Sequence, residues 1–397
     1  MSSLSVYIHI PFCTIKCGYC DFNAYAGMGK LQDRYFQALL GEIEASGDLF
    51  KGREIATIAF GGGTPGESPP RLIAAALDAL RQAAPVAAGA EVSLEANPGT
   101  TTGPDLRLLR EAGVTRLSFG AQTFDADQLR FLDRIHSPEA IGASVQLARD
   151  AGFRDVNLDL IYAIPGQSME SWDRSLQLAL RLQTDHISTY ALTVEEGTPL
   201  SLRVDRGEVA PVDPDLAADM YERATDILAD AGFGQYELSN WARPGHESRH
   251  NLVYWTGGDY IGLGAGAHGY LDGERYENIA HPRAYIDAVL EHGGRQRAVA
   301  KAYVPDMPTA IFDWVTLSLR LTDGFAACDF ERRFGRPLDD VAGTVLRSAE
   351  EAGILEYGER VRLTRRGRLL HGEVAAELLA HLSTVEPAII GGTGARG

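Results

Sequence analysis

Apolar residues in the first 240 positions follow two alternating patterns. Short runs rich in Val, Ile and Tyr predict β-strands, and the segments between them repeat apolar side chains at helical spacing. Helices are predicted at 35–46, 70–83 and 139–152. Strands that alternate with helices in this way predict right-handed βαβ units and a parallel sheet. The predicted strands are 5–11, 55–63, 91–99, 115–123, 155–166 and 186–194.

Six such units predict an α/β fold, an open partial (β/α)6 barrel of the TIM type, with residues 233–240 as a further strand. Polar residues lie late in the apolar strands or just after them, among them Glu95, Gln122 and Asp159. Any one of them is as well explained by a structural role. Because the carboxyl ends of barrel strands form the active site, their recurrence on several strands predicts a functional site there.

The pattern becomes mainly helical after about residue 300, with helices predicted over 309–321 and 338–353 and a two-stranded wing over 354–364. This order resembles a winged-helix domain. Acidic residues offset its arginines, which favours packing or partner binding over DNA binding. The predicted domains are the barrel (1–240), a connecting region (241–300), a C-terminal helical, winged-helix-like domain (301–385) and a flexible tail (386–397).

Composition narrows the class of protein. The 397 residues have a formal net charge of −17, which disfavours binding to nucleic acid. The N-terminal residues lack the features of a secretory signal, and no apolar run is long enough to span a membrane. We therefore expect a cytoplasmic protein, in which clustered cysteines bind metal or take part in catalysis more often than they form disulfides.

Three of the four cysteines, Cys13, Cys17 and Cys20, are spaced C-x3-C-x2-C, and Cys328 lies far away as a buried or incidental thiol. Zinc commonly takes four ligands from paired C-x2-C units, and no second pair is present. A 4Fe–4S cluster normally uses four cysteines. Three cysteines leave one iron without a protein ligand, and an open coordination position is where chemistry can occur.

The three cysteines, with Tyr19 just before the last one, resemble the signature of the radical S-adenosylmethionine (radical SAM) superfamily. This resemblance implies a 4Fe–4S cluster whose open iron binds the amino and carboxylate groups of S-adenosylmethionine. An electron from the cluster then cleaves that cofactor into methionine and a 5′-deoxyadenosyl radical. Zinc and a purely structural cluster are the weaker alternatives.

The resemblance covers nearly the whole barrel region. The glycine-rich stretch FGGGTP at 60–65 is implied to receive the methionine amino group. GAGAHG at 264–269 matches a dinucleotide-binding pattern, but no helix is predicted after it, so we interpret it as a tight glycine loop. The residues implied to bind S-adenosylmethionine are Tyr7, Tyr19, Gly63, Thr64, Pro65, Glu95, Gln122, Arg134 and Asp159.

Within the superfamily, the sequence is similar to the oxygen-independent coproporphyrinogen III oxidase-like group. The true dehydrogenases of that group have another cysteine two residues after the third one and an N-terminal extension. Here that position is Phe22, and the first predicted strand begins about five residues from Met1. Both differences argue against decarboxylation of coproporphyrinogen.

A second activity in this group is that of the radical SAM heme chaperones, whose H-N-x-x-Y-W motif resembles His250, Asn251, Tyr254 and Trp255. The resemblance implies heme as cargo and His250 as its iron ligand, with His246 and His268 as competitors. The implied partners are recipient heme proteins, including membrane-associated respiratory enzymes, and an electron donor if S-adenosylmethionine is cleaved.

The alternative is a radical enzyme that modifies a substrate. It would be an oxygen-independent coproporphyrinogen III dehydrogenase acting on a porphyrin, or a radical methyltransferase. A chaperone releases heme unchanged, whereas an enzyme converts a substrate. The motif around His250 favours the chaperone over oxidoreductase activity.

Overall fold

Six parallel strands form the centre of the first of two compact units, which comprises residues 1–234, 239–250 and 259–302. The computed structural model describes residues 1–384. Each of the six strands pairs in parallel with the next, which confirms the predicted α/β fold with a mostly parallel sheet. The strands are Ser2–Ile10, Arg53–Gly62, Val86–Ala96, Arg116–Gln122, Asp155–Tyr162 and His186–Ala191.

Amphipathic helices connect these strands. In Pro70–Ala83, for example, the apolar side chains Leu72, Ile73, Leu77 and Leu80 recur at helical spacing and are buried, and a proline occupies the first helical position. In residues 1–384, no helix has both the length and the hydropathy needed to cross a bilayer. The helices and helical turns of this unit are Gly29–Leu31, Gln32–Ala45, Gly47–Phe50, Pro65–Glu67, Pro70–Ala83, Gly103–Ala112, Ala126–Phe131, Pro138–Asp150, Met169–Arg181, Pro199–Asp205, Pro214–Asp230, Pro282–His292 and Arg295–Ala298.

The two faces of the parallel sheet differ in chemistry. Residues such as Ile8, Phe60 and Leu158 alternate along the strands and are buried in the apolar core. The opposite face is polar: Ser118 Oγ donates to Asp159 Oδ2 over 2.7 Å. These inward-facing side chains are small or polar, unlike the bulky apolar layers of a filled barrel. They form the polar interior of the partial barrel, which is called the lumen below.

Further strands extend both edges of the sheet. Tyr260–Leu263 pairs in parallel with the first strand and is followed by His268–Leu271, Glu274–Asn278 and Val299–Tyr303. Asn240–Ala242 pairs antiparallel with the sixth strand, and Gly234–Glu237 falls within the predicted strand 233–240. Residues 264–267 of the stretch GAGAHG form the predicted glycine loop, and this loop connects two strands.

The second compact unit comprises residues 235–238, 251–258 and those from 303 onward. Its described core includes Trp314, Phe330 and Leu346, and its strands Phe325–Ala326, Leu355–Tyr357 and Arg360–Leu363 form a small sheet that contains the predicted wing. The predicted tail, 386–397, lies outside the described residues, and the predicted domain boundaries remain predictions. The helices are Met307–Ser318, Ala327–Phe334, Leu338–Glu351, Arg365–Leu369 and His371–Thr384, and Arg249–Trp255 runs from the first unit into the second.

Candidate functional site

The carboxyl ends of the parallel strands surround the open mouth of the lumen. Three neighbours on this mouth are Tyr7, Gly61 and Glu95, from the first three strands. A Cβ atom on Gly61 would lie 3.1 Å from both Glu95 Oε1 and Tyr7 Cε2. The missing side chain of Gly61 therefore lets the carboxylate and the tyrosine ring approach each other above the sheet.

The three clustered cysteines lie on a loop that starts at this mouth. Gly63 N–H donates to Ile10 O and Thr64 N–H donates to Phe12 O, each over 2.8 Å. A Cβ atom on Gly63 would lie 2.6 Å from Phe12 O, so only glycine lets the turn pair this closely with the segment that leads into Cys13. The glycine-rich turn thus fixes the start of the cysteine loop.

Each thiol of the loop is half-buried and free of disulfides. Burial raises the pKa of Cys13 to about 11, although its contact with Thr64 Oγ1 at 3.4 Å opposes this change. Burial also raises the pKa of Cys20. Binding of iron by these residues would therefore release protons from the thiols.

The cysteine loop suits a cluster better than a single ion. In the described part of the chain, no three His, Cys, Asp or Glu side chains are grouped closely enough to hold one metal ion. A 4Fe–4S cluster places each cysteine on a different iron, so its ligands need not converge on one point. Three thiols on one short loop match that donor set, with one iron left for another ligand.

Polar contacts that the sequence did not predict hold this loop in place. Glu67 Oε2 accepts from Thr14 N–H at 2.7 Å and from its hydroxyl at 2.8 Å. Asn97 Nδ2 donates to Thr64 Oγ1 over 3.1 Å. On the other side, Asn23 Nδ2 donates to Ala265 O over 3.1 Å. Partners 33 to 242 positions apart leave no local sequence signal.

Arg134 joins the cysteine loop to the ends of the strands. Its Nη1 donates to Cys17 Sγ over 3.4 Å, and its Nη2 donates to Gly120 O over 2.8 Å and to Asn97 Oδ1. The buried Nε of Arg134 has no hydrogen-bond partner within residues 1–384. One donor of this cation is therefore available for an anionic ligand at the mouth.

Two carboxylates contribute negative charge to the same mouth. Glu95 is accessible to solvent but enclosed by the barrel walls, and this enclosure, followed by the negative charge of Asp159, raises its pKa to about 7. Burial raises the pKa of Asp159 as well, although Ser118 donates a hydrogen bond to it. Burial raises the pKa of Tyr19, and the nearby Arg134 opposes this rise. The Tyr19 hydroxyl therefore lies close to the charged side chains of the mouth.

The structure thus brings the predicted S-adenosylmethionine residues together at one end of the barrel. Gln122 ends the fourth strand with φ +62°, a left-handed conformation that is uncommon outside glycine, and Pro65 begins the helical turn after the glycines. A guanidinium donor suits the carboxylate of an amino acid, and the two carboxylates suit an ammonium group or ribose hydroxyls. The residues present fit S-adenosylmethionine.

His250 lies at the opposite end of the lumen. It is 2% exposed, its Nδ1 lies 2.8 Å from Thr57 Oγ1, and its backbone N–H donates to Glu91 Oε1 over 3.0 Å. Burial lowers its pKa to about 3. His250 therefore helps to close the amino end of the barrel, and its role as heme ligand remains a prediction.

The two competing histidines differ from His250 in location. His246 Nδ1 lies 2.5 Å from Asp155 Oδ1 at the start of the fifth strand, and its ring is partly exposed. His268 begins the strand His268–Leu271 and is exposed. Of the three, only His268 lies at the end of the sheet where the cysteine loop is found.

Comparison with known proteins gives the family. The model of the radical SAM superfamily matches residues 7–179, and that of the HemN C-terminal domain matches residues 308–370. The chain is 42% identical over 382 residues to the heme chaperone HemW of Mycobacterium tuberculosis, with 94% of each chain covered. The chain belongs to the HemW family of radical SAM proteins. The HemW proteins of Bacillus subtilis and Escherichia coli are 37% and 36% identical to it, over 95% of this chain.

Among solved structures, the fold is similar to that of the radical SAM enzyme coproporphyrinogen III oxidase (HemN) of Escherichia coli. The TM-score is 0.83 at 25% identity, with 95% of this chain and 90% of that chain covered. These matches confirm the predicted superfamily and the resemblance to the coproporphyrinogen oxidase-like group. Membership of the radical SAM superfamily implies a 4Fe–4S cluster and S-adenosylmethionine for a HemW-family chain.

Proposed function

We propose that this protein is a heme chaperone that binds heme and transfers it unchanged to heme-dependent proteins. The observation that supports this most strongly is the 42% identity, over 94% of both chains, to a protein named heme chaperone HemW. Similarity over this length includes the barrel, the motif at 250–255 and the C-terminal unit. The proposed cargo follows from the name of that relative.

We further propose that Cys13, Cys17 and Cys20 hold the 4Fe–4S cluster and that S-adenosylmethionine binds at the mouth beside it. Bound there, these groups would supply a reductant and a source of the 5′-deoxyadenosyl radical. Arg134 would use its free Nε donor to orient a carboxylate, and Glu95 and Asp159 would accept from ammonium or hydroxyl groups. Tyr7 contacts His9 Nδ1 at 3.0 Å and borders the same mouth.

A second candidate function is radical modification of a porphyrin, which the fold similarity to coproporphyrinogen III oxidase favours. One feature of the cysteine loop argues against it. Phe22 occupies the position two residues after Cys20 and is 64% exposed, where the dehydrogenases have a further cysteine. We therefore favour the chaperone.

The proposed partners are recipient heme proteins, including membrane-associated respiratory enzymes, and an electron donor where S-adenosylmethionine is cleaved. We place this activity in the cytoplasm, where clustered thiols stay reduced.

The experiment is an anaerobic titration of cluster-reconstituted protein with heme, beside an assay of coproporphyrinogen consumption. We expect one heme per chain, recovered unmodified by mass spectrometry, and no decarboxylated product. Catalytic turnover of coproporphyrinogen without heme binding would contradict the chaperone proposal and show that the protein is a porphyrin-modifying enzyme.

A further inference from the structure

The extension of the sheet beyond the first strand presents an exposed histidine on the side that faces the lumen. Tyr7 pairs with Gly262, and Tyr260 pairs with Tyr270 in the antiparallel neighbour. This register sets His268 opposite Gly262, so Tyr7, Gly262 and His268 form one row across the sheet. Aligned residues on neighbouring strands face the same side, which puts His268 on the same side as Tyr7.

His268 also lies close to the end of the barrel that carries the cysteine loop. Burial lowers the pKa of His9, and the nearby His268 contributes a smaller effect in the same direction. His9 Nε2 in turn lies 2.9 Å from Asn23 O, and Asn23 Nδ2 donates to Ala265 O. The loop that leads into His268 is therefore tied directly to the segment that follows Cys20.

The segment after Cys20, which is tied to the loop before His268, carries groups with the chemistry of a porphyrin site. Phe22 is 64% exposed next to Asn23, which leaves an aromatic ring available for a planar macrocycle. Lys16 Nζ donates to the backbone carbonyl Phe22 O over 3.0 Å, so a cation is held against the same short segment. An imidazole, an aromatic face and a cation are the groups that heme iron, porphyrin and propionate require.

Four other described histidines of the first unit are less suited to binding iron where they stand. His250 and His186 are 2% exposed, and His246 contacts the Asp155 carboxylate. His281 is exposed at the same end of the sheet, but its ring packs edge-on against Tyr25, with ring centroids 5.5 Å apart. His268 combines exposure with the lumen-facing side of the sheet.

We infer that His268 is the heme-iron ligand of this protein, with Phe22 against the porphyrin and Lys16 beside a propionate. This inference rests on the proposed chaperone function and names the site of its cargo. It places heme at the same mouth as the cofactor, whereas the motif histidine His250 closes the far end of the barrel.

The test is an anaerobic heme titration of the full chain and of its His268→Ala variant, followed by absorption and electron paramagnetic resonance spectroscopy. We expect the variant to lose the histidine-ligated spectrum and to bind heme about tenfold more weakly or worse. Added imidazole should restore the spectrum. Iron-free protoporphyrin IX should bind both proteins equally, because it makes no bond to the imidazole.

The control variants are His281→Ala, an exposed histidine at the same end, and His250→Ala. Both should retain the spectrum of the native protein, and circular dichroism should show that each variant is folded. Loss of the histidine-ligated spectrum in His250→Ala or His281→Ala, but not in His268→Ala, would overturn the assignment of His268 as the ligand. That result would leave the proposed chaperone function unaffected. Failure of the native protein to bind heme would overturn both.

Discussion

Arg134 donates a hydrogen bond from Nη1 to Sγ of Cys17, one of the three clustered cysteines, over 3.4 Å. The same guanidinium donates to Gly120 O at the end of the fourth strand. A single side chain therefore connects a proposed cluster ligand to the framework of the barrel. Because the contact brings a positive charge to a sulfur, it affects the electronic properties of any cluster held there.

Replacement of Arg134 by Gln should lower the reduction potential of the reconstituted cluster. A cation and hydrogen-bond donor at a ligand sulfur stabilises the more negative, reduced form, so its loss should shift the potential by on the order of tens of millivolts. The measurement is a redox titration monitored by electron paramagnetic resonance. Arg130→Gln is the control, because Arg130 is exposed and pairs only with Asp127 among its described salt-bridge partners. Equal potentials in the Arg134 variant and native protein would contradict the prediction.

Replacement of Cys13, Cys17 or Cys20 by Ala should each prevent assembly of a stable 4Fe–4S cluster. The three thiolates bind three of the four irons and leave one iron open. Loss of any one thiolate leaves two irons without a protein ligand. Iron and sulfide content after anaerobic reconstitution is the measurement. The exposed Cys328 is the matched control, and Cys328→Ala should retain the full cluster. A full cluster in any of the three loop variants would contradict the ligand set.

Replacement of Gly63 by Ala should destabilise the first unit and disturb the cysteine loop. The new Cβ atom would lie 2.6 Å from Phe12 O and 2.8 Å from Phe12 N, which are backbone atoms that cannot move away freely. We expect a loss of about 1–3 kcal/mol in the free energy of unfolding, together with a lower cluster content. Gly29→Ala is the control, since no atom lies within 4 Å of the added Cβ. Equal unfolding free energies in the two variants would refute the prediction.

Replacement of Glu95 by Gln should increase stability at neutral pH relative to the native chain. The folded-state pKa of Glu95, about 7, exceeds its ordinary value of 4.5, so the folded protein favours the neutral carboxyl. The neutral carboxyl therefore contributes to the stability of the folded state. This stabilisation is fully present below about pH 4.5 and is lost as pH rises through about 7.

The measurement is chemical denaturation of both proteins at about pH 5 and about pH 8. The advantage of the Gln variant should be larger at the higher pH, although exposure of the carboxylate to solvent reduces its size. Glu44→Gln, on an exposed helix position, should show no such change. A difference between native and Glu95→Gln proteins that does not vary with pH would count against the raised pKa.

The sequence was sufficient to predict the parallel strands because each is a near-continuous apolar run. The predicted strand 155–166, for example, includes the observed Asp155–Tyr162, and the predicted helix 70–83 coincides with Pro70–Ala83. Buried parallel strands and amphipathic helices are defined by local patterns. The same patterns predicted that Glu95 and Asp159 lie late in, or just after, apolar strands; Glu95 is the last residue but one of Val86–Ala96, whereas Asp159 is followed by three residues of Asp155–Tyr162.

Features that depend on distant pairing were not accessible from the sequence. The strands Tyr260–Leu263 and His268–Leu271 are short and contain glycine, and their register is set by the first strand, more than 250 positions earlier. The burial of His250 depends on Thr57 and Glu91, which belong to two other strands. Its position in a sequence motif therefore did not reveal which end of the barrel it occupies.

The most direct test of the chaperone proposal is the transfer of heme to an apo heme protein. Reconstituted protein loaded with one equivalent of heme is mixed anaerobically with the apo recipient, and the two are separated and analysed for heme by mass spectrometry. The proposal predicts that unmodified heme appears on the recipient in amounts equal to the loss from the donor. Heme that stays on the donor, or a chemically altered porphyrin, would contradict it.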